Sequence, residues 1–209
     1  RFKSTVEEYL GRALAEPHPA DVTGVEDHLG WNAQGDGRDF LGIYVENGRI
    51  QDTETDRTKS ALRKVVERFR MPTRMTAQQN ILLCDIESSQ RDEIDRILAD
   101  HGVVPAEDRS GIRRLSMACP ALPTCGLSIT ESERVMPGIL DQLESELSRQ
   151  GLAEEQITIH MTGCPNGCAR PYSPEIGLVG KTVGKYTVYL GGSVLGNRLG
   201  FVFRDLVPL

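Results

Sequence analysis

Four of the five cysteines of this chain fall in two tight pairs, and that spacing constrains the fold more than any other feature. Cys119 and Cys125 lie in ACPALPTCGL with five residues between them; Cys164 and Cys168 lie in MTGCPNGCARPY with three. Gly and Pro surround both pairs, so the backbone there can bend sharply and approach a ligand closely. Thiolates are soft donors, and four of them suit an iron–sulfur cluster or zinc. Each pair alone says little. Together, with a helix and a strand between them, they predict two loops meeting at one point, a common way to build a site at strand ends in α/β proteins. Zinc sites usually separate paired ligands by about two to four residues, so the longer gap fits zinc less well. Four buried or unliganded thiols are the remaining alternative. Cys84 ends the apolar run Ile81-Leu82-Leu83 and reads as a small core hydrophobe. His18, His28, His101 and His160 are scattered, and each reads as structural.

At 209 residues the chain can hold one large or two small domains. No apolar run approaches the roughly 20 residues of a membrane span, which argues against a membrane partner. The N-terminal RFKSTVEEYL lacks the apolar centre of a signal peptide. A start without Met and a stop at DLVPL read as a piece of a longer protein. Five cysteines do not make the dense framework of a small secreted scaffold, so reduced thiols in a cytoplasmic enzyme are the expectation. A net charge of −6 without a basic run argues against nucleic acid. From His160 to Gly200, however, Arg170, Lys181, Lys185 and Arg198 face only one acid, Glu175, so the second cysteine pair sits in a locally positive stretch suited to an anionic ligand.

The periodicity predicts an α+β chain. Residues 2–14 read as a helix ending near Gly11, and 16–37 as a linker rich in Pro, Gly, Asp and His. Phe40–Glu46 reads as a strand, with Asn47-Gly48 as a hairpin turn. Arg57–Arg70 reads as a helix with Leu62, Val65, Val66 and Phe69 on one face, ended by Pro72. Short strands follow near Thr73–Thr76 and Ile81–Cys84, then a helix over Ser88–Asp100 stopped by Gly102, then a strand over Arg113–Met117. The order β-α-β-β-α-β is that of a ferredoxin-like split βαβ unit. Beyond Ser116, Thr130-Glu131-Ser132-Glu133 reads as a capping box opening a helix that Pro137 should kink or shorten. Gln156–Met161, Ile176–Val179 and Tyr186–Leu190 read as strands. The chain thus divides into an N-terminal helix and linker over 1–37, a ferredoxin-like domain over 38–115 and a ligand-binding domain over 116–209, expected to be truncated at its C-terminus.

These segments carry a resemblance. ACPALPTCGL, ESERVMPGIL, MTGCPNGCARPY, EIGLVGK and YLGG resemble the C-terminal half of the sirohaem-dependent sulfite and nitrite reductases. Upstream, GWNAQGDGRDFLGIYVENGRIQD and RMTAQQN are similar to the family's second ferredoxin-like segment. The filling of CPALPTC looks like the sulfite branch. The resemblance implies an α/β domain over 116–209 that binds a 4Fe-4S cluster and sirohaem. Cys119, Cys125, Cys164 and Cys168 would hold the cluster, and Cys168 would bridge it to the sirohaem iron. Asn166 and Gly167 would let the backbone pack against cluster and macrocycle. Arg74, Thr76, Gln78, Gln79, Asn80, Asn197 and Arg198 would contact the carboxylate-rich tetrapyrrole.

The function this resemblance implies is that of an assimilatory sulfite reductase, reducing sulfite to sulfide with six electrons delivered by ferredoxin or a flavoprotein. A nitrite reductase and a cluster-only electron-transfer module are the alternatives, with a zinc or cysteine-stapled domain as a different class. The family's anion-binding Arg and Lys residues lie in the half that precedes this segment. No catalytic residue is therefore assigned here, and the isolated piece is expected to be inactive and to bind its cofactors poorly.

Overall fold

A computed structural model describes residues 2–16 and 24–209, so His18 lies outside the described residues. An exposed N-terminal helix, α1 (Phe2–Leu10), stops at Gly11 as expected. Two sheets follow. The first comprises β1 (Gly30–Ala33), β2 (Asp39–Ile43), β3 (Thr73–Met75) and β4 (Ile81–Ile86), in the order β1-β2-β4-β3, with every neighbouring pair antiparallel. Since β2 and β3 both run against β4, they are parallel to one another with β4 between them. This is the split βαβ arrangement, with α2 (Thr58–Phe69) as its crossover. The helix exists because Ala61, Leu62 and Val65 recur on one face and bury there, joined by half-buried Val66 and Phe69. It ends where Arg70 turns left-handed (φ 52°), two residues before Pro72. Ile94, Ile97 and Leu98 of α3 (Arg91–Asp100) complete this core over Leu41, Ile43, Leu83 and Ile86.

The second sheet has β5 (Ser116–Ala118), β6 (Ile159–Thr162), β7 (Ile176–Thr182), β8 (Lys185–Leu190) and β9 (Phe201–Pro208) in sequential order. The first three strands are parallel and the last three antiparallel. A one-turn helix, α4 (Gly111–Arg114), leads into β5, and α5 (Met136–Arg149) is the crossover from β5 to β6. Met136 and Leu140 from α5, Ile159 and Met161 from β6, Leu178 and Tyr186 make the second core.

Several expectations fail for identifiable reasons. The stretch read as linker contributes β1, whose Gly30-Trp31-Asn32-Ala33 is too short and polar to signal a strand but pairs with β2. Asn47-Gly48 is not a hairpin turn: it closes a 3-10 turn over Glu46–Gly48, and β2 pairs with β1 and β4 instead. Arg113 and Arg114 are helical, and the strand after them joins the second sheet, so β1 takes the place expected of it in the first. The capping box does not form, because tertiary partners claim both ends. The Thr130 hydroxyl accepts the Gly184 N–H (3.1 Å) and lies 3.1 Å from the Tyr186 hydroxyl, while Glu133 is paired with Arg49. The helix starts at Met136 with Pro137 in its first turn, where a missing N–H costs nothing and no kink arises.

Polar contacts fix the two sheets against each other. Arg49 and Glu133 form a two-pronged ion pair, with Arg49 Nη2 2.7 Å from Glu133 Oε2. Asn47 donates to the Glu133 carbonyl (3.1 Å). Arg113 donates to Glu144 and Asp141 on α5 and to Glu46 beside the first sheet. The guanidinium holds the Glu144 carboxyl below the usual carboxylate range.

Candidate functional site

Cys119 follows the last residue of β5, and Cys164 follows β6 by two residues, so both cysteine pairs lie at the carboxyl ends of parallel neighbours. The loops they open are bonded to each other through the backbone. Cys119 N–H donates to the Met161 carbonyl (3.1 Å), and Ile129 and Thr130 N–H groups donate to the Gly163 carbonyl (3.0 and 3.1 Å). Gly163 N–H donates to Cys119 Sγ (3.3 Å). Buried Cys119 packs with Met117, Ala121 and Ala169, the last adjoining Cys168. Cys125 N–H closes a turn on the Ala121 carbonyl (2.7 Å).

Missing side chains permit this approach. A Cβ on Gly163 would lie 2.1 Å from Ser128 Oγ and 2.5 Å from the Thr130 carbonyl; one on Gly180 would lie 2.4 Å from the Gly163 carbonyl. A Cβ on Gly177 would meet the Pro171 carbonyl at 1.8 Å, so the end of the second loop is pressed flat on β7. Two tyrosines fasten the loops. Tyr172 donates to the Pro165 carbonyl (3.0 Å) across the second loop and lies edge-on to Tyr189 at 5.2 Å. Buried Tyr186 donates to the Glu131 carbonyl (2.8 Å) in the first loop. Burial raises both phenols above their ordinary range, so each remains a donor at neutral pH.

All four thiols are free; Cys119 and Cys164 are buried, Cys125 half-buried and Cys168 exposed. Cys84 is free and buried in β4, as its apolar run implied. Among the described residues no three His, Cys, Asp or Glu side chains are grouped to hold a metal ion. The donor set still fits a 4Fe-4S group, in which each thiolate binds a different iron and the sulfurs need not meet at one centre. Four reduced thiols on two touching glycine-lined loops, one already accepting a backbone N–H, supply that chemistry.

Beside the second loop lies an open cleft of about 430 Å³, lined among others by Gln78, Met117, His160 and three arginines, Arg114, Arg170 and Arg198. Glu175 also lines it and Arg114 is paired with Asp27 (2.7 Å), so among the described residues Arg170 and Arg198 are its cations free of a carboxylate partner, and they fit a polycarboxylate ligand such as a tetrapyrrole. Of the residues expected to contact the tetrapyrrole, Gln78 and Arg198 line it. Arg74 is on exposed β3, and Asn166 and Gly167 are in the tight turn before Cys168, Gly167 with φ 70°. Asn197 is exposed in the turn after β8.

Three others make hydrogen bonds within the protein. Thr76 Oγ accepts the Asn80 N–H (3.0 Å), and buried Asn80 accepts the Val45 N–H (3.0 Å). Gln79 grips the backbone of Ala118, donating to its carbonyl (2.9 Å) and accepting its N–H (3.3 Å), one residue before Cys119. Sequence reasoning missed Arg114, Arg170 and His160 as cleft residues. Only the basic stretch around Arg170 signalled one of them.

Known proteins share this sequence and fold. Residues 32–101 match the family described as nitrite/sulfite reductase ferredoxin-like half domain. The sulfite reductase (ferredoxin) of Synechococcus elongatus is 44% identical over 205 residues, covering 98% of this chain and 33% of that protein. The sulfite reductase (NADPH) hemoprotein beta-component of Methylobacterium sp. strain 4-46 is 45% identical, covering 98% of this chain and 34% of that protein. Mycobacterium tuberculosis NirA superposes with a TM-score of 0.75 at 28% identity, covering 100% of this chain and 38% of the other. The chain thus spans about a third of the length of the curated relatives it matches.

Proposed function

Because this chain belongs to the nitrite and sulfite reductase family of oxidoreductases, we propose that it is the part of an assimilatory sulfite reductase that holds a 4Fe-4S cluster and one wall of a sirohaem pocket. In this reading Cys119, Cys125, Cys164 and Cys168 are the cluster ligands, and exposed Cys168 carries the link to the sirohaem iron. When bound, the two groups supply the single-electron chemistry that sums to six-electron reduction of sulfite to sulfide. The chain's own residues do the holding. Gly163 N–H bonds to Cys119 Sγ, and Tyr172 keeps the second loop closed. Arg170 and Arg198 offer charge to tetrapyrrole carboxylates. Sulfite binding and proton delivery belong to residues outside this segment. The donor is a ferredoxin or a flavoprotein in the cytoplasm.

The observation that supports this most is that four free thiols lie on two loops bonded to each other, beside an arginine-lined cleft. The test is iron, zinc and acid-labile sulfide analysis of the chain after anaerobic reconstitution. About four irons with matching sulfide, lost on substituting any of the four cysteines, is the expected result. Stoichiometric zinc without sulfide would overturn it. In the full-length parent, Cys168→Ser should abolish six-electron turnover while iron remains bound, and wild-type turnover would refute the bridging role. Faster turnover of nitrite than of sulfite by that parent would reassign the substrate.

A further inference from the structure

The reading above gives His160 no part in holding the cluster or the tetrapyrrole, yet it is a buried titratable side chain. It stands on β6 between Met117 of β5 and Gly177 of β7, and its ring lines the cleft. Its Nδ1 lies 3.2 Å from the carbonyl oxygen of Arg170, two residues past Cys168. A carbonyl can only accept, so this bond requires the hydrogen on Nδ1; in the neutral ring Nε2 then carries the lone pair.

The position it holds is an unusual one. Arg170 adopts φ 54°, a left-handed conformation unfavourable to a residue with a side chain. Its carbonyl also accepts the Ser173 hydroxyl (3.1 Å) and N–H (3.3 Å), and its N–H returns to the Gly167 carbonyl (2.8 Å). Its guanidinium crosses to the Ala77 carbonyl (2.9 Å) on the other sheet's hairpin. Of these partners, Gly167 and Ser173 belong to the same loop and move with it. His160, Ala77 and Met117, whose sulfur lies 3.8 Å from the guanidinium, tie Arg170 to neighbouring elements, and of the three only His160 does so at the backbone.

We propose that His160 is a positioning residue that, as the neutral Nδ1–H tautomer, fixes the Arg170 backbone and thereby the placement of Cys168 toward the cleft. The inference rests on the cluster and sirohaem reading above. Burial favours the uncharged ring, consistent with a neutral donor. A ring that packed only as an apolar filler would show no tautomer preference tied to Arg170 and would be replaceable by Leu.

Two measurements test this. In the 15N-histidine-labelled chain at pH 7, long-range 15N–1H correlation should show His160 neutral and protonated at Nδ1; protonation at Nε2 would overturn the proposal. In the full-length parent, H160N keeps an N–H where Nδ1 stood, whereas H160L does not. With iron and sulfide content matched to wild type, the spectroscopically coupled haem–cluster fraction should fall at least five-fold in H160L and stay within two-fold in H160N. Equal coupling in both would overturn the positioning role. A wild-type parent lacking iron and sulfide would overturn the cluster reading, and with it the purpose assigned to the ring, even if the tautomer were as expected.

Discussion

Gly163→Ala is the sharpest perturbation the structure offers, because one methyl group meets both cysteine loops. The new Cβ would sit 2.5 Å from the Thr130 carbonyl oxygen, 2.8 Å from Ala121 Cβ and 2.1 Å from Ser128 Oγ. Ser128 can rotate away, at the expense of its bond to the Thr130 carbonyl (2.7 Å). The other two cannot, so the 119–130 loop must move as a unit. Such overpacking costs about 1–3 kcal/mol. The movement also strains three bonds, those from Ile129 and Thr130 N–H to the Gly163 carbonyl and that from Gly163 N–H to Cys119 Sγ. Each hydrogen bond contributes roughly 0.5–1.5 kcal/mol. The expected total loss is about 3 kcal/mol, read as a lower urea midpoint at unchanged slope. Gly138→Ala is the control: it is exposed in α5 with nothing within 4 Å of a new Cβ, and should be neutral or stabilising by up to about 1 kcal/mol. A Gly163→Ala chain within about 0.5 kcal/mol of wild type would refute the claim that the loops are in contact.

Three further outcomes are expected. His160 is held near pKa 4 by burial, below its ordinary 6.5. The folded state therefore favours the neutral ring, and its contribution is complete above pH 6.5 and is lost as pH falls toward 4. Each pH unit in that window is worth about 1.4 kcal/mol, or about 2 kcal/mol lost between pH 7 and 5; urea unfolding of wild type and H160N at both pH values should show this loss in wild type alone. Glu133→Gln should cost about 1 kcal/mol, discounted because Arg49 is half-exposed, and a double-mutant cycle with Arg49→Ala should show coupling of that order. Leu140→Ala, at a fully buried position in the second core, should cost about 2–5 kcal/mol in the same assay.

The helices were legible in the sequence, because three-to-four spacing of Leu62, Val65 and Ile94, Ile97, Leu98 is a local property. The cysteine loops were legible for the same reason: both pairs and their glycines lie within short windows. What escaped notice was decided at a distance. Thr130 and Glu133 form a capping pattern in sequence, but Tyr186, Gly184 and Arg49 hold them in space. The bonds of Gln79 to Ala118 and of the Asn80 Oδ1 to Val45 are likewise long-range and invisible in the local sequence. Arg114 and His160 lie on separate elements, and only the parallel pairing of β5 with β6 brings them to one cleft.

The strand β9 has a consequence for handling the chain. It pairs on one side with β8, and Phe201, Val202, Phe203 and Leu206 are 47–63% exposed. Among the described residues no strand pairs with its other edge, which runs along an apolar segment and is the template on which strands of other molecules add. Arg204 and Asp205 are its only charged residues, and Asp205 is already engaged with Thr187 and Lys181. Concentrated solutions of the isolated chain should therefore self-associate through this edge, giving sedimentation profiles that shift with concentration. A lysine in place of Phe203 should suppress that shift without disturbing either hydrophobic core.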